Sequence, residues 1–124
     1  MALEHEELTE KIIAAAIEVH HRLGPGFLES IYENALVIEL QKRNFKVKKQ
    51  YEVIINYDDI EIGRHRIDLL VNNTIVLELK AIKNIENIHF AIVKSYLRAL
   101  NKMHGLILNF NKEKLEIKRV IVSR

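Results

Sequence analysis

A chain of 124 residues, 48% hydrophobic, 29% charged and with a net charge of +2, suffices for one globular domain with a real core and is too short for two. The lack of cysteine excludes disulfides, zinc–thiolate centres and thiol nucleophiles, and no apolar run approaches the ~20 residues of a membrane span. The opening MALEHEELTE is acidic and lacks the basic and apolar regions of a secretory leader, so a cytosolic protein without membrane association is expected.

In chain order, apolar residues at Leu8, Ile12, Ala15, Ala16, Val19 and Leu23 predict an amphipathic helix from Glu4 to about Leu23. Gly24-Pro25-Gly26 ends it. Leu28, Ile31, Tyr32, Ala35, Leu36 and Leu40 form the apolar stripe of a second helix, from about Phe27 to Arg43. The period then changes to two: Phe45, Val47, Tyr51, Val53, Ile55 and Tyr57 alternate with polar neighbours, as in a half-buried strand. Asp58-Asp59 turns the chain. The next strand starts with even apolar positions, Ile60 and Ile62, and finishes with odd ones, Ile67, Leu69 and Val71, a slip that predicts a bulge near Gly63.

After Asn72-Asn73-Thr74, a third strand has Ile75, Leu77, Leu79 and Ala81 on its apolar face. Ile85 to Asn101 predicts a helix with apolar residues around much of its circumference, hence well buried. Two short strands, about His104–Phe110 and Leu115–Val122, close the chain. The expected architecture is α/β, a central mixed sheet flanked by helices in the order ααβββαββ, forming a single domain over residues 1–124.

The chemistry is concentrated in the hairpin of the second and third strands. If odd residues face odd residues, a three-residue loop at Asn72–Thr74 pairs Val71 with Ile75, Leu69 with Leu77 and Ile67 with Leu79. Such a loop needs one left-handed residue, which asparagine tolerates. That register sets Asp68 opposite Glu78 and brings Lys80 onto the same face. Opposed carboxylates repel unless a cation lies between them, and oxygen ligands of this kind suit Mg²⁺ or Mn²⁺. Such an ion lowers the pKa of a bound water and neutralises a phosphate oxygen, while Lys80 positions the attacking water or stabilises developing charge. The plainer alternative is an ion-paired strand face of little energetic consequence. Leu70 and Val76, on the same face, argue for partial burial instead.

Together these residues resemble a known family. The segment RIDLLV, with Asp68 ten residues before the Glu78 of VLELKA, is similar to the D-(X)n-E-X-K core of the PD-(D/E)XK nuclease superfamily. Gly26-Phe-Leu-Glu29-Ser-Ile-Tyr32 resembles the signature of its compact GxxExxY group, and LILNF near the C-terminus adds to the likeness. The resemblance implies a restriction-endonuclease-like core in which Asp68 and Glu78 bind the metal and Lys80 is catalytic. It also implies a third carboxylate from the preceding helix, Glu29 by position, with Glu33 one turn later as the substitute. Tyr32 reads as a packing residue with a satisfied hydroxyl, and Gly26 as the residue that lets the chain enter the helix closely. Ile92 departs from the family, since related sequences often carry glutamine there; His89 or Lys94 could supply the missing polar reach.

The leading functional expectation is a divalent-metal nuclease acting on DNA, with Lys46, Lys48, Arg64, Arg66 and Lys94 gripping flanking phosphates. The competing expectations are a non-catalytic nucleic-acid-binding module and a protein-assembly scaffold on the same fold. Compact nucleases of this class often act as homodimers. A phosphate-binding glycine loop, a nucleophile elbow and a zinc-spaced histidine set are all missing from the sequence.

Overall fold

The computed structural model of the chain describes residues 2–123. Two helices, α1 (Ala2–Leu23) and α2 (Glu29–Lys42), precede a meander of β1 (Val47–Tyr57), β2 (Ile60–Val71) and β3 (Ile75–Lys80). The helix α3 (Asn87–Leu100) then crosses over to β4 (His104–Asn109), and β5 (Glu116–Ile121) returns beside it. The strands lie in sequence order in one sheet, parallel between β3 and β4 and antiparallel elsewhere. This is the mixed α/β order expected from the alternating periods. Among the described residues, no helix is long and apolar enough to cross a membrane.

Each face of the sheet carries its own core. Leu69, Val71, Ile75, Leu77, Leu79, Leu106 and Leu108 pack against Ile12, Ala16, Tyr32, Leu36 and Leu40 of α1 and α2. Val53, Ile67, Leu70, Val76, Ile107 and Val120 pack against Val93 and Leu97 of α3. Ile67 and Leu69 share odd parity yet serve opposite cores, and so do Val47 and Val53. The sequence pattern predicts one continuous odd face; the strands instead reverse their facing around Gln50 and Asp68.

The turns follow the chemistry of their residues. Asp58 and Asp59 both adopt left-handed φ values, 50° and 61°, which match a two-residue hairpin turn to the strand twist. Between Ile55↔Gly63 and Asn56↔Glu61 the register slips, leaving Ile62 as the extra residue of the bulge expected near Gly63. The Asn72–Thr74 loop uses two left-handed residues, Asn72 and Asn73, rather than one.

Two expectations about the helices are corrected. α2 starts at Glu29, and Leu28, which precedes it, is 72% exposed, as Ile31 is in part. Both therefore drop out of the buried stripe. α3 is less buried than its composition suggests: Val93 and Leu97 are enclosed, while Ile88 and Ile92 face outward. A single sheet face covers one side of the helix only.

Candidate active site

The site begins where the β2–β3 ladder stops. Val71↔Ile75, Leu70↔Val76 and Leu69↔Leu77 pair as the parity argument predicts, but Ile67↔Leu79 does not form. At the next step the backbone of Asp68 donates its N–H to Oε2 of Glu78 at 2.8 Å, and the N–H of Leu79 donates to Oδ2 of Asp68 at 2.8 Å. Each carboxylate takes the donor that the parted ladder frees on the facing strand. A buried N–H must be satisfied, so the opening is stable only because acceptors stand at these two positions.

On the β1 side the ladder also skips the level of Asp68. Lys49↔Leu69 and Tyr51↔Ile67 pair, while Gln50 between them has φ 52° and stays out of the ladder. Its side-chain amide turns toward α2 and donates to Oε1 and Oε2 of Glu33, 3.0 Å each. Lys49 lies 3.8 Å from the same carboxylate and also bonds Asn34.

The start of α2 is set by the preceding loop. Gly24 and Gly26 take φ 70° and 109°, values that favour glycine. The Tyr32 hydroxyl donates to the Gly24 carbonyl at 2.6 Å and accepts the Phe27 N–H at 3.1 Å, while its ring stacks on Phe110 at 4.5 Å. Tyr32 is therefore the packed, satisfied residue the sequence suggests. By tying down the loop it aims the first turns of α2, which carry Glu29 and Glu33.

Glu78 is 6% exposed, and its pKa is pushed from 4.5 up to about 8. Burial is the main cause, followed by the charge of Asp68, against which the Asp68 N–H and Lys80 pull downward; Glu29 adds a smaller upward push. Glu33, 8% exposed, is also raised by burial; Asp68 and Glu29 push the same way and Gln50 and Lys49 oppose. The Tyr96 hydroxyl is raised by burial and then by Glu78 and Asp68, which puts it in range of both acids. Its ring stacks on His65 at 4.3 Å.

Four carboxylates (Glu29, Glu33, Asp68 and Glu78) thus act on one another with Lys49 and Lys80 as countercharges. The donors are oxygens, suited to Mg²⁺ or Mn²⁺. No three His, Asp or Glu side chains among the described residues stand as a ready-made ligand cluster. The oxygen donors that stand together for such an ion are those of Asp68 and Glu78, each bonded to the backbone of the facing strand.

Helix α2 brings both candidate carboxylates near: Glu29 is exposed at its first residue, and Glu33 is enclosed one turn later. The basic candidates are scattered. Lys46 lies at the far, closed end of the hairpin, its backbone bonded to Asn72. Lys48 stands opposite Leu70 with Nζ 5.3 Å from the centre of the Tyr51 ring. Arg66 is exposed two residues before Asp68, and Lys94 lies on the open face of α3 beside Arg98. Arg64 is committed to Glu52 at 2.9 Å and Glu61 at 2.7 Å. His89 is engaged in capping α3, where its Nδ1 accepts the Glu86 N–H.

Sequence reasoning missed Lys49, Gln50, Tyr96 and Asn109. Asn109 is fully buried and clamps the segment after Lys80 through both the N–H and the carbonyl of Ile82. A polar residue inside the otherwise apolar GLILNF was the signal available for it.

Comparison with known proteins agrees with this architecture. A family model for the PD-(D/E)XK nuclease superfamily matches residues 6–120, and the chain belongs to that superfamily. Among solved structures, the crystal structure of SSO0001 matches with a TM-score of 0.60 at 16% identity, a likeness of fold. The match covers 77% of this chain and 50% of that one, so the chain spans about half the length of that relative. No curated protein matches the sequence.

Proposed function

We propose that this chain is a divalent-metal-dependent nuclease that hydrolyses phosphodiester bonds of DNA, one domain over residues 1–124 of the GxxExxY type. The observation that carries the reading is the exchange between Asp68 and Glu78: two acids held side by side on parted strands, Glu78 buried and Asp68 half-buried, with Lys80 next to them. Stability alone does not call for such a pair, since like charges in a dry site raise its energy.

In this reading Asp68 and Glu78 hold Mg²⁺ or Mn²⁺, together with a carboxylate of α2, Glu29 or Glu33. Such an ion, held there, would lower the pKa of a water and neutralise a phosphate oxygen. Lys80 contributes fixed positive charge where negative charge develops on the phosphate. Lys46, Lys48, Arg66 and Lys94 grip flanking phosphates, and Arg64 joins them only by leaving Glu52 and Glu61. A cytosolic homodimer would present two such sites to the two strands of a duplex.

A second reading draws on Ile92, which is 37% exposed and apolar where related sequences often carry glutamine: a non-catalytic nucleic-acid-binding module on the same fold. Cleavage of single-stranded, duplex and branched DNA and of RNA, with Mg²⁺ or Mn²⁺ against EDTA, separates the two. The nuclease reading expects metal-dependent cleavage that Asp68→Ala and Glu78→Ala abolish. Salt-dependent binding without cleavage would establish the binding module, and neither activity in folded protein would leave an assembly scaffold.

A further inference from the structure

We propose that Gln50 is a positioning residue of this site: its left-handed backbone frees Asp68 from β1, and its amide fixes Glu33 as the helix carboxylate that serves the metal. The inference rests on the nuclease reading above. Glutamine in the middle of a strand gains nothing locally from φ 52°, and non-glycine residues with positive φ are uncommon outside turns. Backbone strain of this kind persists where the surroundings over-determine it, and it gathers at functional sites.

Two consequences meet at this one residue. Without Gln50 in the ladder, β1 offers no backbone partner at the level of Asp68, although pairing resumes on either side at Lys49↔Leu69 and Tyr51↔Ile67. The same reversal points the side chain at α2, where Nε2 contacts both oxygens of Glu33 at equal distances. Those contacts fix the plane of the carboxylate as well as its position. Glu33 is enclosed, within electrostatic range of Asp68, and held by Gln50 and Lys49. Glu29, exposed at the helix start, has no comparable fixture among the described residues. Of the two candidates on α2, Glu33 is therefore the one held in place, and it is the one that would serve the metal. Groups that orient such carboxylates matter nearly as much as the ligands themselves.

A plain strut between α2 and β1 would look the same in a static view, so the test separates side chain from backbone. Gln50→Gly keeps the left-handed backbone and deletes the amide; Gln50→Asn tolerates the backbone but is one methylene short of Glu33. Mn²⁺ affinity by calorimetry, thermal stability without metal, and kcat and KM for DNA cleavage are measured for wild type, both variants, Glu33→Gln, the double variant Gln50→Gly/Glu33→Gln, and Asp68→Ala. Both Gln50 variants are expected to remain folded and to lose ~10–100-fold in Mn²⁺ affinity or kcat, with KM little changed. Gln50→Gly should add nothing to the loss already caused by Glu33→Gln, because the two act as a unit. Wild-type Mn²⁺ affinity and kcat in both variants, or losses that multiply in the double variant, would overturn the proposal while leaving the nuclease reading intact. Lowered thermal stability with unchanged Mn²⁺ affinity and kcat would mark a strut and overturn it too. Wild-type protein that neither cleaves nor binds Mn²⁺ in an Asp68-dependent way would end the nuclease reading, and this inference with it.

Discussion

The two ends of the β2–β3 hairpin follow opposite rules. At the closed end, Leu69↔Leu77 to Val71↔Ile75 pair backbone to backbone, and their side chains are sealed in the two cores. One residue further, at Asp68 and Glu78, the backbone bonds are replaced by carboxylates that accept from the opposite strand. The closed end is stabilised by burial and cooperative pairing. The open end keeps charged groups together at a cost, and it is the end to which we assign the chemistry.

The largest expected effect is at the open end. Asp68→Asn retains an acceptor for the Leu79 N–H but removes the charge, so the fold should survive while cleavage falls by ~10³-fold or more. Circular dichroism with single-turnover kinetics checks both halves; a variant that cleaves normally would refute the assignment of Asp68. At the closed end the balance inverts. Leu77→Ala leaves the acids in place but removes fully buried side-chain volume, and should cost about 2–5 kcal/mol in denaturant unfolding.

A smaller effect concerns pH. With the Glu78 pKa raised from 4.5 to about 8 on folding, the folded state retains a proton that the unfolded chain has lost within this window. Stability should therefore be fully present below about pH 4.5 and fall as the pH rises toward 8. Glu33, raised in the same direction, adds to the trend. In EDTA, Glu78→Gln should remove most of the slope and raise Tm at pH 8 by ~5 °C or more over wild type. Added Mg²⁺ should narrow that gap by stabilising the ionised wild type. Equal Tm profiles for the two proteins would mean that Glu78 is not under this strain.

The smallest effect is expected away from both ends. Arg64 makes an exposed ion-pair network with Glu52 and Glu61, so Arg64→Ala should move Tm by no more than ~2 °C. Its effect on DNA affinity should be weaker than that of Arg66→Ala, since Arg66 makes no ion pair among the described residues. Fluorescence anisotropy at two salt concentrations would rank the two.

Much of this comparison was legible in the residues. The alternation of Leu69, Val71, Ile75 and Leu77 around Asn72–Thr74 was enough to set the hairpin register and bring Asp68 level with Glu78. The bulge beside Gly63 could be read from the change of parity between Ile62 and Ile67. The same parity failed at Ile67↔Leu79, where it assumes an unbroken ladder, and at Tyr51 and Val53, which turn to the α3 side. Nothing in KVKKQYEV announces a left-handed glutamine, since its neighbours continue as a strand and its reward is a bond to Glu33, seventeen residues away. Tyr96 looked like one more member of an apolar helix face, and its nearness to the acids depends on how α3 crosses the sheet.

The sequence by itself determined the order of the elements, the closed-end register and the placing of Asp68 beside Glu78. These follow from periodicity and turn chemistry, which act over a few residues. Only the tertiary structure decided that the strands part at Asp68, that Glu33 is enclosed while Glu29 stays in the open, and that the pKa of Glu78 is lifted to about 8. Those outcomes depend on α2, α3 and three strands meeting at one point, where burial and the sum of nearby charges outweigh the local preferences of any one segment.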